Sequence, residues 1–281
     1  MASILDRYGI KEVADVTFYD LDDNGDPISP VLYLDTLKVS TIEQTAEHSE
    51  ARGGKGNPPL IIWDYGKEIN VTLEDALFSA KSMAIMFGNG KTKAYTGDNA
   101  YIMKSEQFTA TDTTLPTANT DASGWKAKYE GPDGKLYAKI NPKFYKEDGT
   151  KVTDALVKGE KYFCSYDLIA TEGAVIEISA SSFPGTYYVT GDTYARSEAS
   201  GKDEFFQFII PKAKVQSENT ITLEAEGDPS VFNMSLRVMR PADGIMMKLV
   251  KYKLAGGDEA TIEENAVIFH NHKLDPVTAE G

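Results

Sequence analysis

The sequence predicts a mainly β protein, a β-sandwich or partial barrel with one flanking α-helix and an inserted β-hairpin unit. Three observations support this prediction. Most periodic segments alternate apolar and polar residues, as half-buried strands do. Turn residues separate these segments at short intervals, as in sandwiches and barrels. A single segment, ending at Phe87, combines helical spacing of apolar residues with a capping pattern.

The N-terminal part is predicted to form two strands joined by a hairpin turn. Apolar and polar residues alternate over 14–19, which indicates a strand with one buried face. The segment Asp22–Pro27 contains Asn24-Gly25, a frequent pair in hairpin turns. The second strand region is predicted over Val31–Thr45.

The helix is predicted to follow a strand directly. Alternation over 68–73 indicates the strand, and Thr72 with Asp75 fits a capping box at the start of the helix. Gly88-Asn89-Gly90 is expected to end it. The apolar residues expected to form its buried stripe are Leu73, Leu77, Ala80, Ala84 and Phe87.

The rest of the chain is predicted to contain a small β unit followed by more strands. The segment 109–123 is rich in Thr, Ala, Asp and Asn, which favours a linker or surface loop. The predicted domains are a β domain of 1–108 with 171–281, and 109–170 as a linker plus inserted β unit. Strands are predicted after the unit at 174–180, 185–190, 204–210, 220–226, 231–240 and 245–254.

The chain is strongly and unevenly acidic. Its 281 residues carry a formal net charge of −14. Ten acids and one base lie between Glu12 and Glu50, and six acids and one base lie between Gly256 and Gly281. Such a chain lacks the basic surface that binds nucleic-acid phosphates. The acids form either two solvated edges or one continuous face.

Compartment and membrane signals point to a cytoplasm. Cys164 is the only cysteine, so a disulfide within the chain is impossible and a reducing compartment is expected. The start of the sequence lacks the apolar core of a secretory signal, and no apolar run reaches the roughly 18 residues of a membrane span.

Three short motifs resemble ligand-binding loops but lack essential residues. The segment that begins at Asp20 matches half of an EF-hand loop, but Val31 stands where calcium needs a bidentate Glu. The segment 88–92 resembles the end of a phosphate-binding loop, but Ile85 stands where its first Gly is required. In the segment 53–56, Gly replaces the necessary Ser or Thr. We therefore predict neither a calcium nor a nucleotide site.

No catalytic or metal constellation is identified. His270 and His272 would share one face of a strand, but no third zinc ligand accompanies them. The third histidine is His48, and no nucleophile elbow supports a triad with any of them. The many acids supply carboxylate pairs, but no pattern selects one pair. We predict no enzyme activity, no metal and no cofactor.

Aromatic residues leave one minority alternative open. They could form a sugar-stacking face, although aromatics in strands more often belong to a core or an interface. The residues concerned are Trp125, Tyr187, Tyr188, Tyr194, Phe205, Phe206 and Phe208.

A Gly- and Pro-rich loop is the candidate subunit-interface segment. It has no apolar anchor, so we expect it to be disordered in a monomer and ordered by a neighbouring molecule. This pattern favours an assembly subunit over an enzyme. The residues of the loop are Arg52, Gly53, Gly54, Lys55, Gly56, Asn57, Pro58 and Pro59.

Four segments resemble the major tail (tube) protein of tailed bacteriophages. They are 35–47, 52–59, 71–79 and 232–241. The resemblance covers roughly residues 10–90 and 200–255. It implies a β-sandwich with one flanking helix, whose subunits form rings, typically hexameric, that stack into a tube with a lumen for DNA.

The resemblance also implies partners and a location. The expected partners are further copies of the chain, the tail sheath or tape-measure and tail-terminator proteins, and DNA that passes without specific binding. The protein would lie in the virion tail, with 109–170 on the outer surface and with Glu43 and Glu47 as candidate lumen-facing acids. The alternative function is a carbohydrate- or receptor-binding β-sandwich, such as an adhesin or a virion decoration protein.

Overall fold

The computed structural model describes residues 7–10, 12–88, 93–218, 231–252 and 254, with the side chains of 93–99 left aside. These ranges contain fifteen strands and one α-helix, and the predicted mainly β class with a single helix is confirmed. The chain divides into two compact units. Unit 1 is Met1–Thr92 with Ile176–Gly281, and unit 2 is Lys93–Val175.

The element bounds in unit 1 are β1 Tyr8–Ile10, β2 Asp15–Leu21, β3 Pro27–Leu34, β4 Leu37–Arg52, β5 Pro59–Asp75, α1 Ala80–Phe87, β12 Thr186–Ser197, β13 Asp203–Val215, β14 Phe232–Val238 and β15 Lys248–Tyr252. Those in unit 2 are β6 Lys93–Thr109, β7 Lys128–Glu130, β8 Leu136–Ala138, β9 Ile140–Lys146, β10 Lys151–Val152 and β11 Lys161–Val175. The strand predicted over 220–226 lies outside the described residues.

Unit 1 is built on one antiparallel sheet with the strand order β3-β2-β12-β13-β14-β5-β4. In addition, β1 pairs with β12 and β15 pairs with β13. The predicted alternation in β2 is confirmed, because Val16 and Phe18 are fully buried while Asp15 between its apolar neighbours is exposed. The Asp22–Pro27 turn is also confirmed. There the Asp22 carboxylate accepts hydrogen bonds from the backbone N–H groups of Asn24 and Asp26, both at 2.8 Å.

The core of unit 1 lies on one face of this sheet. Phe18 packs edge-on against Tyr187, with ring centroids 5.9 Å apart. The strand β12 passes so close to Phe208 that a Cβ at Gly191 would lie 2.1 Å from the Phe208 ring. Glycine is therefore required at this position for packing.

The helix begins later than the sequence predicts. Thr72 belongs to β5, where it pairs with Thr41 of β4 and Ser235 of β14. Period-two alternation continues to the buried Asp75, and pairing on both sides of β5 outweighs the local capping pattern. The actual capping box joins Ser79 and Ser82, with the Ser82 N–H donating to Ser79 Oγ at 2.9 Å.

The predicted helical stripe is correct only in part. Leu73 is buried, but it lies in β5. Leu77 precedes the helix and its side chain is 62% exposed. The helix packs on the core through Ile85 and Met86, both fully buried, and through the partly buried Phe87.

Unit 2 has its own sheet and core. Its sheet has the strand order β10-β9-β11-β6, and β7 and β8 form a separate hairpin. Trp125 packs edge-on against Phe144 in the core, at a centroid distance of 5.4 Å. Lys139 is only 3% exposed, pairs with Glu106 and lies with its Nζ 5.1 Å from the Trp125 ring centroid. Unit 2 contains the segment 109–170 and also the whole of the two long strands β6 and β11.

Candidate functional site

The hairpin of β4 and β5 extends beyond the rest of the described sheet. The strand β14 pairs with β5 from Asp75 to Asn70, and beyond that register the described contacts of β5 are with β4. We call the two-stranded part with no buried residue, 45–68, the arm. None of its side chains is buried, whereas Val71 and Leu73 at its base are.

The tip of the arm is the predicted interface loop. Arg52 ends β4 and Pro59 begins β5, so the loop turns the chain between the two strands. Gly53 N–H donates to Pro58 O at 3.2 Å, and Asn57 N–H donates to Gly54 O at 3.1 Å. Gly54 and Gly56 have φ values of 86° and 87°, a region that favours glycine. The Gly-rich sequence is thus explained by a tight turn.

The arm carries exposed apolar side chains on β5. Trp63 is 53% exposed, and the others are Leu60, Ile61, Ile62 and Tyr65, between 52% and 66% exposed. A two-stranded ribbon has no core of its own, and such a cluster of large apolar groups on a surface marks an interaction site. The sequence pattern predicted a contact at the loop, and it did not identify these residues. Their signal was the apolar run 60–63 beside the loop.

A register shift determines which face carries the aromatic side chains. The pairing changes from Thr45 opposite Glu68 to Glu47 opposite Tyr65, so β5 has one extra residue in this interval. Gly66, with φ 62°, lies there. A bulge of this kind reverses the alternation, so that side chains with the same parity lie on opposite faces of β5 before and after it. The odd-numbered apolar residues Ile61, Trp63 and Tyr65 therefore lie on the face opposite to the one that Ile69 occupies at the base of the arm.

The two candidate lumen acids have different surroundings. Glu43 lies opposite Asn70 at the polar base of the arm. Nearby, Glu68 forms an ion pair with Arg237 of β14. Glu47 lies opposite Tyr65 in the aromatic part of the arm. Both acids are exposed, and their assignment to a lumen stays a prediction.

A second acidic feature lies on the solvent face of the sheet. Asp15 of β2 and Asp192 of β12 are direct cross-strand partners. Burial raises the pKa of Asp192, the hydrogen bond from Gln207 lowers it in part, and Asp15 raises it further. The alternation in β2 predicted Asp15 on the polar face of its strand. It gave no signal for Asp192, because the pairing joins distant parts of the chain.

The described residues bear on the metal, sugar-stacking and membrane readings of the sequence. Within the described ranges no group of three His, Cys, Asp or Glu side chains could hold a metal ion. His48 is exposed on the arm, and His270 and His272 lie outside the described residues. Among the aromatic residues considered for sugar stacking, Trp125 and Phe208 are core residues. No helix in the described part of the chain is long and apolar enough to span a membrane.

Comparison with known proteins agrees with the resemblance at family level. The model of the YomU/Tube protein family matches residues 8–250. No curated protein matches the sequence significantly. The match covers well over half of the chain, so this chain belongs to the YomU/Tube protein family and is, at that level, a phage-derived, tube-like structural protein.

Proposed function

We propose that the protein is the subunit of a bacteriophage tail tube, and that it forms stacked, hexameric rings whose acidic lumen conducts DNA. The proposal rests on the exposed apolar side chains of the arm, together with the family match. An exposed ribbon with five large apolar side chains is costly for a monomer, but it suits a subunit that buries the ribbon against its neighbour.

The sheet of unit 1 supports ring closure. Its described strand path ends at β3 on one side and at β4 on the other. Two different open edges allow head-to-tail pairing, in which β3 of one subunit meets β4 of the next. Such a heterologous contact closes into a ring when the rotation between neighbouring subunits divides a full turn evenly. Ring closure would also cover both edges, which otherwise invite aggregation.

The distribution of acids supports a lumen that does not retain DNA. Asp15 and Asp192 lie on the face of the sheet opposite the core, and Glu43 lies on the outer face near the base of the arm. If this face lines the tube, acids repeated in every ring repel the phosphates of passing DNA. Glu47, opposite Tyr65, would instead lie close to a contact between subunits.

The partners and the location follow from this function. The arm and the sheet edges would bind further copies of the chain. Sheath or tape-measure and tail-terminator proteins would contact the outside and the ends of the tube. The subunit would be assembled in the bacterial cytoplasm and would remain in the virion tail.

Electron microscopy of the purified protein tests the proposal. We expect rings or tubes with a central channel at high protein concentration. Particles that stay monomeric at all concentrations and salt conditions would contradict it and would favour the receptor-binding alternative. Size-exclusion chromatography over a dilution series measures the same assembly in solution.

A further inference from the structure

A cleft in unit 2 combines apolar walls with a cation that has no acidic partner among the described residues. Its volume is about 310 Å³, and all of its lining residues belong to unit 2. On one side lie the cross-strand partners Ile102 of β6 and Leu168 of β11, with Lys104 beside them. On the other side is the β7–β8 hairpin, where Tyr129 and Tyr137 are direct partners and both line the cleft.

Two hydrogen-bond donors meet in this cleft without an acceptor. The Lys104 ammonium donates to the hydroxyl oxygen of Tyr129, with the two atoms 2.9 Å apart. Within the described structure, the other N–H groups of Lys104 and the O–H of Tyr129 have no acceptor, and no carboxylate forms an ion pair with Lys104. Both residues line the cleft and are partly exposed. A carboxylate that enters the cleft would accept hydrogen bonds from both of them.

The acid that lines the cleft already has partners of its own. The carboxylate of Asp133 accepts a hydrogen bond from the hydroxyl of Tyr137 at 2.8 Å, and it lies 3.7 Å from the ammonium of Lys135. Lys104 is therefore the cation of the cleft that is still to be matched. Its surroundings are apolar, and Ile102 beside it is 48% exposed. The cleft thus fits an apolar surface that carries one carboxylate.

One face of the arm has this composition. Direct cross-strand partners share a face of a ribbon, and three such pairs form the face, namely Glu47–Tyr65, Ser49–Trp63 and Ala51–Ile61. Among these six residues only Glu47 is charged, and no described cation forms an ion pair with it. In contrast, Glu50 on the other face of the arm pairs with Arg52. The face is an apolar strip with one unpaired carboxylate at its end.

We propose that the arm of one subunit docks in the unit 2 cleft of a second copy, with Glu47 bound to Lys104 and Tyr129. The aromatic side chains beside Glu47 lie against the apolar walls of the cleft. This contact rests on the proposed tube function, and it adds the site that receives the arm. Every copy has an arm and a cleft, so the contact is head-to-tail and repeats from subunit to subunit.

Apolar burial and charge have different roles in this contact. Removal of the exposed aromatic side chains of the arm from water supplies the driving force. The ion pair selects the partner and fixes the register, because each charge gains a partner that it lacks in the described subunit, whereas two like charges at that point would repel each other. Reversal of either charge should therefore weaken the contact, and reversal of both should restore it.

Zero-length crosslinking of the unchanged protein tests the contact directly. A carbodiimide joins a carboxylate to an amine only where the two touch, so the assembled protein should yield a linked Glu47–Lys104 peptide in mass spectrometry. When unlabelled and isotope-labelled protein are mixed before assembly, part of this peptide should contain one segment of each kind, which shows that it joins two copies. Assembled protein without the linked peptide, or a linked peptide that is never mixed, overturns the proposal.

Charge reversal measures the contribution of the pair. Glu47→Lys and Lys104→Glu should each raise the protein concentration needed for assembly by about tenfold or more, because like charges then meet. The double variant should return to within about threefold of the unchanged protein, because the pair is restored with opposite polarity. Asp64→Lys on the other face of the arm and Lys151→Glu in β10 are the matched controls, and both should assemble normally. The crosslinking test needs no variant, so it decides the proposal even if Lys104→Glu fails to fold.

The outcomes separate this contact from the tube proposal. If the unchanged protein forms no assembly under any condition, the tube proposal fails and this contact fails with it. If assembly tolerates both single reversals, or if the double variant does not recover, this contact alone is wrong. Hexanoate is the probe for a free carboxylate. Saturable binding of hexanoate, combined with normal assembly of Glu47→Lys, would assign the cleft to a small ligand and would overturn the arm as its occupant.

Discussion

Asp15 of β2 and Asp192 of β12 lie directly opposite each other in the unit 1 sheet. Like charges in this position destabilise a sheet. The pKa of Asp192 is raised by burial first and by Asp15 in addition. The folded state therefore binds the Asp192 proton more tightly than the unfolded chain does. This tighter proton binding adds to the free energy of unfolding. The contribution is fully present below the ordinary Asp pKa and is lost as pH rises through the raised pKa of Asp192.

Asp192→Asn should therefore stabilise the protein at neutral pH, by about 0.2–1 kcal/mol, with solvent screening favouring the lower end. The gain should disappear at a pH below the ordinary Asp pKa, where the carboxyl of the unchanged protein is protonated as well. Urea unfolding at the two pH values measures the difference. Asp23→Asn in the exposed turn controls for net charge, and an equal gain in that variant would contradict the cross-strand explanation.

The second prediction concerns two apolar residues at the helix. Ile85 is fully buried in the core, so Ile85→Ala should cost about 2–5 kcal/mol of unfolding free energy. Leu77 is 62% exposed, so Leu77→Ala should change stability by no more than about 0.5 kcal/mol. Denaturant unfolding compares the two variants. Similar losses for both would show that Leu77 is packed in solution.

The sequence predicted the elements whose pattern is local. The alternation over 14–19 and the Asn24-Gly25 turn needed only neighbouring residues. The start of the helix was wrong because Thr72 and Asp75 satisfy a capping pattern, while pairing with β4 and β14 keeps Thr72 in a strand. The pair Asp15–Asp192 depends on a long-range register that one sequence does not contain. In the sequence, the arm is visible only as the apolar run 60–63 beside the loop 52–59.

The third prediction tests the arm as a contact surface. Trp63→Ser should leave a folded subunit, because the Trp63 side chain is exposed on the surface of the arm and is not part of a core. The same substitution should abolish or strongly reduce assembly. Ile178→Ser is the matched control, since Ile178 is 68% exposed outside the arm. Circular dichroism monitors folding and electron microscopy monitors assembly. Rings formed normally by Trp63→Ser would refute the role of this residue in assembly.

The fourth prediction concerns the partly buried ion pair of unit 2. Lys139 pairs with Glu106 and lies 4.8 Å from the Tyr166 ring centroid. Lys139→Met leaves the Glu106 carboxylate, which is 31% exposed, without its cation, and it should destabilise unit 2 by less than the roughly 3–5 kcal/mol of a fully buried pair. Trp125 lies in the same core, so its fluorescence in a Trp63→Phe background reports the unfolding of unit 2. The exposed Lys128→Met should have little effect.

The last prediction uses Cys164 as a probe of the same core. Burial raises the pKa of the thiol to about 12, with Glu106 adding to the shift and Lys139 opposing it. Because the thiolate is the reactive species, Cys164 should not react with a disulfide reagent at pH 8 while unit 2 is folded. Denaturant should expose one thiol per chain. Lys139→Met should accelerate labelling without denaturant, since a less stable unit opens more often. Rapid, complete labelling of the unchanged protein would show that unit 2 opens readily and would contradict a closed core around Cys164.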